Sequence, residues 1–238
     1  MVIYCTYSGG FGGVGKTTIA LTVARLLNYH DKKPVILIDL DYETKMLSRV
    51  LFSRIETRGK DQVLVEQKIP DTGFLDIVSC RDVDLEEICR AVKVDTSEPL
   101  LIFCPGSFST DLKINSKIVS SIFKVLHQFS DYVIIDLPTV HEHELSTLKP
   151  IIEHVDVALL ITDESKMYAF ESEKSKLFRY VASSKTIDII NKAGKEHNQF
   201  TILNITIPTV FSGISHIFKV STEIIKHYDE LYDLLVRW

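Results

Sequence analysis

Eight consecutive residues, Gly10-Phe11-Gly12-Gly13-Val14-Gly15-Lys16-Thr17, constrain this chain more than any other stretch. They read G-x-x-x-x-G-K-T, the spelling of a phosphate-binding loop. Glycines let the backbone wrap around phosphate with its N–H groups pointing inward. Lys16 is expected to reach the β- and γ-phosphates, and the Thr17 hydroxyl to ligate magnesium. The flanks agree with the motif. Val2-Ile3-Tyr4-Cys5-Thr6-Tyr7 is a β-branched and aromatic run that reads as a strand. Thr18 to Leu27 carries apolar residues at helical spacing. Strand, loop and helix in that order place a helix N-terminus at the phosphates. A plain glycine-rich turn would not require Lys and Thr at these two positions. Gly10 to Thr18 are therefore the candidate nucleotide-binding residues.

The chain of 238 residues is long enough for one α/β domain, expected over 1–238. After the first helix, Val35-Ile36-Leu37-Ile38-Asp39-Leu40-Asp41 is a continuous apolar run ending in acids. Such a run suits a parallel strand buried on both faces. Strand residues two apart point the same way, and ligands of parallel α/β sheets lie beyond the carboxyl ends of the strands. Asp39 and Asp41 are thus expected beside the phosphates; the plainer alternative is a pair of solvated loop acids. A second run, Asp131 to Pro138, has the same form and ends in Asp136. An acid at that place holds Mg²⁺, directly or through a bound water.

Further runs, Leu100-Leu101-Ile102-Phe103-Cys104, Val155 to Thr162, Thr186 to Lys192 and Phe200 to Ile205, read as strands. Phe74-Leu75-Asp76-Ile77-Val78 reads as a short strand too. Helices are expected over Lys45 to Phe52, from Asp84 as cap through Val92, over Ile114 to Phe129, and up to about Val181. The stretch Thr57-Arg58-Gly59-Lys60-Asp61 is polar and reads as mobile. Asn191 closes one strand, and its amide can both donate to and accept from the edge of adenine. His141-Glu142-His143-Glu144 lacks the H-E-x-x-H spacing of a zinc helix and reads as a solvated helix start. The strands and interleaved helices together predict an α/β fold, a mainly parallel twisted sheet flanked by helices on both faces.

A net charge of −5 supplies no bulk positive field for nucleic acid. Lys166, Lys174, Lys176 and Arg179 are interleaved with acids and read as a solvated face. The four cysteines, Cys5, Cys80, Cys89 and Cys104, form no C-x-x-C, so zinc and iron–sulfur spacing is missing. Cys5 and Cys104 read as small core residues of a reducing, cytoplasmic compartment. No apolar run approaches the length of a membrane span, and the first strand begins without a signal-peptide pattern. In the tail, Ser221 to Trp238, Asp229, Glu230 and Asp233 balance Lys226 and Arg237. It reads as a packed terminal helix rather than a membrane-surface one.

The loop, the Ile38 to Asp41 strand end, the Tyr132 to Pro138 strand and Asn191 together resemble the MinD/ParA group of ATPases. The resemblance implies a P-loop fold of the SIMIBI type that binds ATP or ADP with Mg²⁺. It also implies a homodimer formed around ATP, a further protein partner, and a role in positioning or assembling a cellular structure. By position, Lys16 and Asp41 become the catalytic residues, Asp41 orienting the attacking water. Thr17, Asp39 and Asp136 surround the metal, and Asn191 meets adenine. One departure stands out. The family's loop reads K-G-G-x-G-K-T, and its signature lysine is Phe11 here. In the family that lysine reaches the partner's nucleotide and supports hydrolysis. A phenyl ring has neither charge nor hydrogen-bond donor, so one contributor to stabilising phosphate charge is gone. ATP hydrolysis to ADP and phosphate is accordingly expected to be weak. The same departure resembles the TadZ/CpaE branch. The competing readings are a nucleotide-binding scaffold without hydrolysis and a maturation-type ATPase of the same superfamily. A small-molecule kinase or ligase lacks an acceptor constellation. Asn191 without an N-K-x-D pattern tilts the base choice to adenine rather than guanine.

Overall fold

In the computed structural model, residues 1–58, 61–66, 69, 73–79, 100–109, 111–140, 142–181, 185–191 and 229–236 are described. The strands are β1 (Val2–Tyr7), β2 (Val35–Asp39), β3 (Ser53–Arg58), β4 (Asp61–Glu66), β5 (Leu100–Phe103), β6 (Tyr132–Asp136), β7 (Val157–Asp163) and β8 (Thr186–Asn191). The helices are α1 (Lys16–Asp31), α2 (Met46–Leu51), α3 (Phe74–Ser79), α4 (Ser116–Leu126), α5 (Glu142–Ile152), α6 (Met167–Leu177) and α7 (Asp229–Val236).

Six strands form one sheet in the order β5-β2-β6-β1-β7-β8, and every pairing within it is parallel. Alternation along the strands decides the layers. Ile3, Cys5 and Tyr7 of β1, Ile36 and Ile38 of β2, and Val133 and Ile135 of β6 face one core. That core is closed by α3, α4, α5 and α6 through Phe74, Ile122, Leu148 and Phe170. Tyr4, Leu37, Ile134, Leu159 and Ile189 face a second core, closed by α1, α2 and α7 through Ile19, Leu47 and Leu231. With both faces covered, the strands carry apolar residues without a polar alternation. The fold is the α/β sheet with helices on both faces that the sequence predicts.

α4 shows how local chemistry sets an element. The Asn115 side chain accepts from Lys117 N and Ile118 N, so the helix begins at Ser116. Val119, Ile122, Phe123 and Leu126 then line its buried side. Each such side chain contributes about 1.5–3 kcal/mol.

One expectation is corrected. Phe74 to Val78 is not a strand but the body of α3. The stretch favours strand by residue type, but its tertiary setting overrides that preference. Phe74, Leu75 and Val78 are buried at helical spacing. Phe74 N donates to Cys104 O and Leu75 N to Pro105 O, and the Asp76 carboxylate accepts from Gly73 N at 2.8 Å. The helix start is thus satisfied by the chain leaving β5. Thr57 pairs with Gln62 and Arg58 with Asp61 where β3 and β4 form a second, antiparallel sheet. The expected helix after Asp84, the strand at Phe200 to Ile205, Cys80, Cys89 and the tail before Asp229 lie outside the described residues.

α7 is fastened at the end of the sheet opposite the loop. The Tyr4 hydroxyl donates to Leu235 O at 2.9 Å. Asp31, the last residue of α1, accepts from the hydroxyls of both Tyr132 and Tyr232. His30 stacks on the Tyr232 ring with centroids 4.0 Å apart. No helix among the described residues is long and apolar enough to cross a membrane.

Candidate nucleotide site

β1 is a central strand, and the loop leaves its carboxyl end to start α1. Gly15, the N-cap of α1, has φ 97 and offers no side-chain cap. No acid occupies the first turn of the helix. The first N–H groups of α1 are therefore left for an anion. Gly13 also has positive φ, and a Cβ built there would meet nothing within 4 Å. The loop thus borders open space, and its left-handed positions suit glycine.

Lys16 is buried, with 9% of its surface exposed. Its Nζ donates to Ser8 Oγ and to Thr139 Oγ1, each at 3.0 Å. Ser8 Oγ donates in turn to Phe11 O at 2.8 Å. Burial pushes the Lys16 ammonium below its ordinary pKa, while Asp136 and Asp41 pull it up and Lys166 pushes it down. A buried ammonium resting on neutral hydroxyls is undercompensated, and an anion would complete it.

Asp136 ends β6 beside β1 and β2, in register with Thr6 and Asp39. Its carboxylate accepts from Thr6 Oγ1 and from Thr17 Oγ1, each at 2.7 Å. Burial raises its pKa, partly offset by those hydroxyls and Lys16. Asp39 is fully buried. It accepts from Ser48 N and Ser48 Oγ at 2.8 and 2.7 Å and from Asp41 N at 3.0 Å. Burial, and then the neighbouring Asp136, raise its pKa to about 7. Two acids whose charge is disfavoured, next to a threonine hydroxyl, form an oxygen donor set that a hard divalent cation would relieve.

The geometry brings Lys16, Thr17 and Asp136 together. Asp41 is positioned differently from the sequence argument. β2 ends at Asp39, so strand alternation does not extend to Asp41. Instead Asp41 turns back on Thr44, accepting from its N at 3.0 Å and its Oγ1 at 2.5 Å. Phe11 packs against both cores rather than projecting outward. Asn191 is the last residue of β8, in register with Asp163. The Lys174 ammonium is not simply solvated: it binds Asp188 of β8 at 2.6 Å and Glu171 at 2.8 Å. Sequence reading missed Thr6, Ser8 and Thr139 as partners in the site. Thr139 had a signal, since it follows Pro138 directly after the acid-tipped strand. Among the described residues, no group of three or more His, Cys, Asp and Glu residues is placed to hold a metal. The cation fit therefore rests on hydroxyl and carboxylate together.

A parallel sheet with a glycine loop and a lysine-threonine pair facing an acid-tipped neighbouring strand defines a P-loop nucleotide-binding domain. The chain belongs to the CobQ/CobB/MinD/ParA nucleotide-binding domain family, whose model matches residues 6–235. Solved structures agree on the fold. A plasmid partition protein from Borrelia burgdorferi bound to AMPPNP superposes with a TM-score of 0.66 at 18% identity, over 99% of this chain and 98% of that one. The septum site-determining protein MinD from Pyrococcus horikoshii, complexed with Mg-ADP, gives 0.63 at 20% identity, over 99% and 96%. The MinC:MinD cell division complex of Aquifex aeolicus gives 0.55 at 18% identity, over 81% and 69%. No curated protein matches the sequence.

Proposed function

We propose that this chain is a cytoplasmic, ATP-binding switch of the MinD/ParA kind, one P-loop domain over residues 1–238. ATP bound with Mg²⁺ promotes a homodimer that engages a protein partner, in positioning or assembling a cellular structure. The observation that carries the reading is the buried Lys16 ammonium held on two neutral hydroxyls beside the Thr17–Asp136 pair. In this reading Lys16 and the loop amides from Gly10 to Thr18 take the phosphates. Thr17, Asp136 and Asp39 surround Mg²⁺, which neutralises phosphate charge when bound. Asp41 orients the attacking water, and Asn191 contacts adenine. The nucleotide-bound relatives and the MinC:MinD pair support the reading by analogy.

Light scattering with Mg-ADP, with Mg-ATP and without nucleotide tests it, with phosphate release assayed in the same samples. A dimer only with Mg-ATP is the expected outcome. One mass in all three states with tight binding would favour a nucleotide-binding scaffold. A specific observation keeps that second reading alive: a partly buried Phe11 packs against both cores, and Asp41 is tied to Thr44.

Two substitutions probe turnover. Phe11→Lys restores the family's loop spelling and is expected to raise the hydrolysis rate several-fold, about the gain from one added charge contact. An unchanged rate would place the limit elsewhere in the site. Asp41→Ala is expected to keep ATP affinity while hydrolysis falls and the dimer persists. Hydrolysis at the parental rate would remove Asp41 from the mechanism.

A further inference from the structure

The loop has lost its signature lysine, yet a different ammonium stands over it. β7 lies directly beside β1 in the sheet. The chain leaving β7 passes through a 3₁₀ turn, Glu164–Lys166, before α6 begins. That crossover carries Lys166 to the loop, where its Nζ donates to Gly12 O at 3.0 Å. The same Nζ pairs with Asp163 at 3.3 Å, and 31% of the lysine side chain is exposed. Gly12 itself faces Thr139, whose Oγ1 would lie 3.9 Å from a Cβ built there. Thr139 is in turn a partner of the Lys16 ammonium. Two ammonium groups, from α1 and from the β7–α6 turn, therefore flank the Gly12 stretch.

We infer that Lys166 supplies, from within the same subunit, a second cationic contact for the terminal phosphate of a bound nucleoside triphosphate. The inference rests on the proposed reading that this loop binds a nucleotide. The chemistry is direct. An ammonium has three donors, and its partners among the described residues are Gly12 O and Asp163 Oδ2. The side chain is also partly open to solvent. The lysine stem has four rotatable carbons, so the head can shift from a carbonyl to a nearby phosphate oxygen without moving the backbone. A phosphate oxygen is the stronger acceptor, because the bond becomes charge-assisted on both sides. Lys166 also acts on Lys16 by like-charge repulsion, depressing its pKa. An anion between the two would turn that repulsion into a shared attraction. Gly12 lies by Thr139, which the Lys16 ammonium also touches, and Lys16 is the group that reaches the outer phosphates, so in this inference the effect falls on the third phosphate rather than on the diphosphate that the amides hold.

The test compares Lys166→Met and Lys166→Arg with the parent chain by calorimetric titration. The probes are Mg-ADP and a non-hydrolysable ATP analogue with magnesium. In Lys166→Met the affinity for the triphosphate is expected to fall about tenfold while that for ADP stays within about twofold, one charged contact's share. Lys166→Arg is expected to restore most of the preference. Equal losses for both nucleotides would overturn the inference, showing that Lys166 only braces the loop through Gly12. No change for either would overturn it too. If the parent chain binds neither probe, the nucleotide site itself is wrong, and the inference falls with it. Circular dichroism on each variant confirms that the titrated chain is folded.

Discussion

Lys16→Ala is expected to weaken Mg-ATP binding at least about a hundredfold and to leave the fold intact. The two halves of this expectation have one cause. In the folded chain the Lys16 ammonium is buried and rests on the hydroxyls of Ser8 and Thr139. Burial works against its charge, as the lowered pKa records. Folding therefore gains little from the group, because desolvation offsets its hydrogen bonds. A bound triphosphate gains much, since each charge-assisted bond is worth about 1.5–3 kcal/mol and Lys16 has two phosphates to serve. Removing the side chain keeps Ser8 Oγ bonded to Phe11 O, so the loop retains an internal tie. Calorimetric titration with Mg-ATP and a thermal melt of the same variant measure both halves. Undiminished affinity would remove the nucleotide from the Gly10 to Thr17 loop altogether.

Gly73→Ala is expected to destabilise the fold by about 3 kcal/mol through overpacking. A chain of this size would then melt about 6–12 °C lower. The reason is backbone on backbone. A Cβ at Gly73 would stand 2.2 Å from Cys104 O and 2.3 Å from Gly106 N. No side chain can rotate away, so β5 and α3 must part. Their separation breaks the bond from Phe74 N to Cys104 O and loosens Phe74, which stacks edge-on against Phe103 with centroids 5.8 Å apart. Differential scanning calorimetry of the variant is the check. A melting point within about 2 °C of the parent would mean that the junction does not pack this closely.

Much of the fold was legible because burial writes itself into residue type. The runs of β1, β2, β6 and β7 could hardly be anything but strands enclosed on both faces, and the loop's spelling fixed where α1 begins. The groups that the structure brings together were legible in a similar way: Asp136 ends such a run, and Lys16 and Thr17 open α1 in the spelling of the loop. What could not be read was whatever depends on neighbours far along the chain. Phe74 to Val78 has strand-forming residues, and only the carbonyls of Cys104 and Pro105 make its helical start favourable. Asp41 seemed to share a strand face with Asp39, but the strand stops first and Asp41 folds onto Thr44. Thr139 and Lys166 reach the loop because β6 and β7 flank β1, and strand order is not visible in a string of residues. Lys166 in particular read as one more charge on a solvated face.

The strand order has a consequence for how the candidate site comes together. Along β5-β2-β6-β1-β7-β8, the order among the described residues, only β7 and β8 are consecutive in the chain. All five pairings among these strands are parallel, so none of them is a hairpin, and each remaining pairing must close a long excursion of chain before it gains anything. Thr17 and Asp136 meet across 119 positions, and Tyr4 and Leu235 across 231. The phosphate loop is contiguous on paper, but the chamber around it is not, and it comes into being only when the sheet does. Long-range parallel pairing of this kind is intrinsically slow to form. A nucleotide that captures the finished chamber would then act as a ratchet, holding closed the topology that took longest to find.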